Sequence, residues 1–140
     1  MHPLYKRAHE LTAEVLASAK CVQEFYGIGL LESIYVKSLA RELELAGYAS
    51  SSEQCIRVDY KGKIIEERLR YDLLVEGCVL VEAKAIEGEI TVEHRMQLLS
   101  YMKVLDIPVG LIINFGNIRL PARGVKRVIL KGADAANELS

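Results

Sequence analysis

The order of elements legible in the chain is α-α-β-β-β-α-β, with a further short strand near the end. It predicts an α/β fold in which helices flank a mixed sheet. Three observations carry that prediction. Apolar residues recur at spacings of three and four through residues 4–46, the period of amphipathic helices. Leu73–Val75, Val79–Val81 and Val109–Phe115 are apolar runs without polar alternation, the pattern of strands buried on both faces. A helical stretch separates the last two runs, and a crossover of that kind makes the strands it joins parallel.

In the first helix the stripe is Leu4, Ala8, Leu11, Val15, Ala19, Val22 and Tyr26, and Gly27-Ile28-Gly29 breaks it. A second helix is expected over Leu30–Ala46, with Val36, Leu39, Leu43 and Ala46 on its apolar face and Gly47 as a left-handed cap. Counting back four from Val36 gives Glu32, a carboxylate at the head of the buried stripe; the helix dipole favours an anion there. Ala49–Glu53 reads as a polar loop. Cys55–Tyr60 and the run after Lys61-Gly62 form a hairpin. Its second strand ends near Leu69 or continues, bent, to Val75. Thr91 is an N-cap for a third helix with Glu93 in its first turn; Leu98, Leu99, Met102 and Leu105 form its core face, and Gln97 and Tyr101 share a neighbouring one. Val125–Leu130 reads as an edge strand.

At 140 residues, 51% hydrophobic and 26% charged, the chain fits one domain, placed at 1–131 with a loose tail at 132–140. No apolar run approaches the ~18 residues of a membrane span, and MHPLYKRAHE lacks a signal-peptide core. The expectation is a soluble, cytoplasmic protein with no membrane partner. Cys21, Cys55 and Cys78 form no CxxC pair and sit in apolar surroundings, so reduced, buried thiols are expected. Eighteen basic residues against 19 acidic ones give no global electrostatic case for nucleic acid; such binding needs a local patch.

The chemistry gathers in Tyr71–Lys84, YDLLVEGCVLVEAK, where Asp72, Glu82 and Lys84 stand at the ends of buried strands. Charges there are costly unless paired, hydrated or bound to metal. Glu82 and Lys84 are two apart and project to one face. Asp72 joins them only if the Glu76-Gly77 turn has three residues or a bulge corrects the register; the two carboxylates are then roughly 5 Å apart. Carboxylates that close repel unless a cation lies between them. A hard ion such as Mg²⁺ suits the pair, since it takes one or two carboxylates and completes its shell with water and phosphate. Lys84 would then orient water or offset transition-state charge. Spacing alone fits a structural ion pair at a sheet end equally well.

Five blocks carry a resemblance. They are Gly29-Leu30-Leu31-Glu32-Ser33-Ile34-Tyr35, Tyr71–Val75, Val81–Ala85, Gln97–Lys103 and Gly110–Gly116. In order and spacing, over roughly Glu10 to Leu130, they are similar to the GxxExxY family, which is placed within the PD-(D/E)XK nuclease superfamily. The resemblance implies a restriction-endonuclease-like αβββαβ core with an extra N-terminal helix. It makes Asp72 and Glu82 metal-binding carboxylates for Mg²⁺ or Mn²⁺, Lys84 the catalytic lysine, Glu32 an acidic metal-site residue and Gln97 a site-lining glutamine. Tyr35 completes the motif. Two departures stand out: Gln23 takes the place where the family often has a His, and Tyr71 precedes Asp72 in place of a small residue.

Arg119, Arg123, Lys126, Arg127 and Lys131 form an acid-free basic stretch, suited either to a phosphate backbone or to a solvated edge strand. His2, His9 and His94 share no ligand spacing. The function expected is a divalent-metal-dependent phosphodiesterase acting on DNA or RNA. The alternatives are a non-catalytic nucleic-acid-binding or regulatory module and an interaction protein. A homodimer, paired through Val125–Leu130, or a separate specificity-providing partner is a further expectation.

Overall fold

The computed structural model describes residues 1–135; the rest of the expected tail, 136–140, lies outside them. The elements are α1 (Tyr5–Tyr26), α2 (Glu32–Leu45), β1 (Ser50–Tyr60), β2 (Lys63–Val75), β3 (Val79–Lys84), α3 (Val92–Leu105), β4 (Val109–Asn114) and β5 (Val125–Ile129). They build one five-stranded sheet in the order β1-β2-β3-β4-β5, antiparallel except for the parallel pair β3 and β4. This is the predicted α/β architecture with a mixed sheet, and it is consistent with a restriction-endonuclease-like core. Among the described residues no helix is long and apolar enough to cross a membrane.

The continuous apolar strands are explained by the two layers they meet. Leu73, Val75, Val79, Val81, Val109, Leu111 and Ile113 face α1 and α2, packing on Ala8, Leu11, Val15, Tyr35, Leu39 and Leu43. Leu74, Leu80 and Ile112 point the other way, against Leu98 and Met102 of α3. Gly110 lets α3 lie close over β4, since a Cβ there would stand 2.6 Å from Met102 Sδ. The α1 stripe is buried from Ala8 to Val22, but its ends, Leu4 and Tyr26, are exposed. Thr91 caps α3 as expected, and His94 returns the bond: its backbone N–H donates to Thr91 Oγ1 while its Nδ1 accepts from the Thr91 N–H.

Several expectations require correction. Of the expected loop Ala49–Glu53, all but Ala49 belongs to β1. Of the cysteines only Cys78 is buried; Cys21 and Cys55 are exposed, because one lies on the outer side of α1 and the other on a hairpin that leaves the core. Burial pushes the Cys78 thiol up, which makes it unreactive. The tail is fastened at its start: Ala133 is buried and its carbonyl accepts from the His2 N–H at 2.8 Å.

β2 is the long alternative, thirteen residues ending at Val75. Beyond the sheet body, β1 and β2 run on as a two-stranded ribbon closed by Lys61-Gly62, both at positive φ. At its base the pairing is irregular: Ser51 faces Leu74 and Glu53 faces Arg70, so Ser52 alone opposes Tyr71, Asp72 and Leu73. Tyr71 consequently packs on the α3 side while Leu73 packs on the α1 side. Irregularities of this kind re-aim a side chain.

Candidate active site

Asp72 sits in that irregular stretch, and the turn that follows supplies the register the sequence demands. Val75 pairs with Val79 across the three residues Glu76, Gly77 and Cys78, and Leu73 pairs with Val81. One step further, the same register sets Asp72 opposite Glu82. Asp72 Oδ2 accepts from the Ala83 N–H at 2.7 Å, which holds the carboxylate against the end of β3.

Glu82 follows Leu80 on the α3 face, and Lys84 follows Glu82. Lys84 Nζ lies 3.6 Å from Glu82 Oε1, with side-chain exposures of 19% and 18%. Glu82 Oε2 is buried with no hydrogen-bond partner among the described residues. Burial raises the Glu82 carboxyl above the usual range; Lys84 opposes that rise, Asp72 adds to it, and His94 opposes it more weakly. Desolvation therefore outweighs the ion pair. This is the geometry the sequence left open between an ion pair and a cation site: an ion pair is present, and one carboxylate oxygen is left over.

Gln97 stands with Asp72 and Glu82. Together with Arg70, Tyr71, Leu98 and Tyr101, these residues line a depression of about 160 Å³. A broader groove of about 930 Å³ adjoins it, running between α2 and the base of the ribbon; Arg70, Tyr71 and Asp72 line both. Glu32, exposed at the start of α2, lines the groove but not the depression. The structure thus brings Asp72, Glu82, Lys84 and Gln97 to one place and leaves Glu32 on the groove side of Asp72. Among the described residues no three His, Cys, Asp or Glu side chains gather closely enough to hold a metal ion. A pair of carboxylates such as Asp72 and Glu82 would suit a hard ion that completes its shell with water better than a metal needing a full protein cage.

Two residues whose role the sequence reading did not find support the site. Asn114, 1% exposed, ends β4 beside Lys84. Its Oδ1 accepts from the N–H groups of Ile86 and Gly116 at 3.1 and 2.9 Å, and its Nδ2 donates to the Ile86 carbonyl at 3.0 Å. These bonds fasten the loop that leaves Lys84. The signal was visible: a lone amide closing an otherwise apolar strand needs partners. Gln23, buried in α1, donates Nε2 to the carbonyls of Phe115 and Asn117 at 2.9 and 2.7 Å, while the Phe115 N–H donates to the Lys84 carbonyl at 2.7 Å. Gln23 is therefore a clamp on the strand ends that carry Lys84.

Tyr35 is fully buried; its hydroxyl donates to the Gly27 carbonyl at 2.6 Å and accepts from the Leu30 N–H at 3.2 Å, and its ring stacks on Phe115 at 4.7 Å. It pins the turn that delivers Glu32, where Gly27 and Gly29 take positive φ.

The basic stretch does not form one surface. Arg127 and Lys126 are consecutive on β5 and point to opposite sides. Arg127 Nη2 donates to His9 Nδ1 at 2.9 Å on the α1 side. Arg123 and Lys126 line a separate depression with Glu89 and Asn114, while Arg119 is exposed in the preceding loop.

The chain resembles the solved crystal structure of SSO0001 at 15% identity and a TM-score of 0.49, covering 89% of this chain and 62% of that one. The chain thus spans less than two thirds of that protein's length. A search of curated proteins returned no match. Residues 9–128 match the family described as the PD-(D/E)XK nuclease superfamily, and the match spans β1 to β4, all but the last residue of β5, and both Asp72 and Glu82-x-Lys84. The chain belongs to the PD-(D/E)XK nuclease superfamily.

Proposed function

We propose that this protein is a divalent-metal-dependent phosphodiesterase that hydrolyses the backbone of DNA or RNA, and a GxxExxY member of its superfamily. The observation that carries the reading is Glu82: a largely buried carboxylate beside Asp72 whose Oε2 lacks a hydrogen-bond partner among the described residues. Asp72 and Glu82 would hold Mg²⁺ or Mn²⁺, which supplies Lewis-acid polarisation of the scissile phosphate and activation of water. Glu32 contributes acidity from the groove side. Lys84, positioned by Glu82 and by the Asn114 clamp, orients the attacking water or offsets charge developing on the phosphate. Gln97 lines the depression beside the two carboxylates and positions substrate there. Of the basic stretch, Arg123 and Lys126, which line one depression, add weak backbone contacts, and Arg127 and Arg119 do not share that surface.

The test uses labelled single- and double-stranded DNA and RNA with Mg²⁺, Mn²⁺ or EDTA. Cleavage is expected with metal, absent in EDTA, and lowered about a hundredfold or more in Lys84→Ala or Glu82→Gln. Cleavage that survives EDTA or either substitution contradicts the proposal. The near-balanced net charge and the division of the basic residues between two sides favour a second reading, a binding module without turnover. That reading predicts salt-dependent binding indifferent to Glu82→Gln.

A further inference from the structure

The ribbon that β1 and β2 extend beyond the sheet has two unlike faces. Pairing of Glu53 with Arg70, Arg57 with Glu66 and Asp59 with Ile64 puts Glu53, Cys55, Arg57, Asp59, Ile64, Glu66, Arg68 and Arg70 on one side. That side is satisfied within the chain: Arg57 reaches Glu66 at 3.2 Å, and Arg68 and Arg70 lie 3.7 and 3.8 Å from Glu53. The other side carries Ile56, Val58, Tyr60, Ile65 and Leu69. Nothing covers it. Val58 is 38% exposed, Ile65 44% and Tyr60 61%. A two-stranded hairpin standing alone in water is marginal, so an apolar face of this length calls for a partner.

The charges on the apolar side say which partner. Lys63 and Glu67 flank Ile65 at two residues on either side, and among the described residues neither has an ion-pair partner. A two-fold axis through Ile65 sets residue 65+n against residue 65−n of a second copy, which brings each Lys63 to the other copy's Glu67. Two such pairs would bracket a core of Ile65 and Val58 from both ribbons. On the opposite side Arg57, Arg68 and Arg70 are offset by Glu53, Asp59 and Glu66, which leaves no net positive charge there for phosphate. We infer that the apolar face of the ribbon docks on the same face of a second copy of this chain, forming an isologous dimer with Ile65 on its axis and Lys63–Glu67 pairs to either side.

Sedimentation velocity of the full chain over a concentration series tests this. The wild type is expected to dimerise reversibly, and Ile65→Glu to be monomeric with an unchanged circular dichroism spectrum. Lys63→Glu alone sets like charges against each other twice and is expected to weaken the dimer about tenfold or more. The double variant Lys63→Glu with Glu67→Lys regenerates both pairs and is expected to restore the wild-type dimer constant. A wild type that stays monomeric at all concentrations overturns the inference, as does a double variant no tighter than Lys63→Glu. A monomer whose oligonucleotide affinity falls in Ile65→Glu overturns it in favour of a nucleic-acid contact.

Discussion

Replacing Glu82 by Gln in the metal-free protein is expected to stabilise it at neutral pH, although the change removes an ion pair. The gain comes from desolvation: among the described residues the Oε2 of this buried carboxylate has no partner, and releasing a charged group from that situation is worth about 1–3 kcal/mol. The interaction with Lys84, at 3.6 Å between side chains 18% and 19% exposed, offsets part of this, but the carboxyl is raised in spite of it. The net is at most about 1–2 kcal/mol. For a chain of 140 residues this raises Tm by at most about 3–7 °C. The pH dependence has a definite sign. Burial raises the Glu82 carboxyl, so the native state holds that proton more tightly than the unfolded chain. The stability this contributes is complete below the ordinary carboxylate range and is lost as pH rises through the raised value. Wild type and variant should therefore converge in acid and separate towards neutrality. Saturating Mn²⁺ should reverse their order, because only the wild type gains binding energy, about 2.7 kcal/mol at a hundredfold excess over Kd. Thermal melts from acid to neutral pH, with and without Mn²⁺, provide the readout. A Gln variant less stable than wild type at neutral pH without metal would refute the reasoning, as would a difference that does not change with pH.

Two further substitutions probe the framework. Tyr35→Phe keeps the stack on Phe115 but leaves the Gly27 carbonyl and the Leu30 N–H without their partner, a cost of about 1–2 kcal/mol readable by denaturant unfolding. An unchanged midpoint would mean that the hydroxyl does not hold the turn. Gln23→Leu strands the Phe115 and Asn117 carbonyls and should cost about 2–3 kcal/mol while loosening the strand ends beside Lys84. Amide exchange at Phe115 should accelerate in that variant, and exchange at wild-type rates would count against the clamp.

The parts of the fold set by periodicity were readable in advance, and those set by geometry beyond the element were not. The parallel β3–β4 pair followed from the helix between two buried runs, because a crossover allows little else. The need for a three-residue turn or a bulge followed from placing Asp72 beside Glu82; the three-residue turn occurs, at Glu76–Cys78, while the irregularity at Tyr71–Leu73 lies in the pairing with β1. The burial of Cys55 was misjudged, since an alternating strand looks the same whether it lies in the sheet or projects from it, and β1 starts earlier, at Ser50, than the polar residues before Gln54 suggest. The basic stretch looked like one patch, but a strand sends Lys126 and Arg127 to opposite sides. Glu32 was correctly placed at a helix start, yet nothing in its spacing reports how far α2 holds it from Glu82.

The central claim is that Asp72 and Glu82 share a divalent cation, and anomalous diffraction from a Mn²⁺-soaked crystal tests it most directly. The account predicts one strong peak between the two carboxylates, with Lys84 beside it, that vanishes in Asp72→Asn. A crystal showing no Mn²⁺ there, or Mn²⁺ bound equally well in Asp72→Asn, would contradict it.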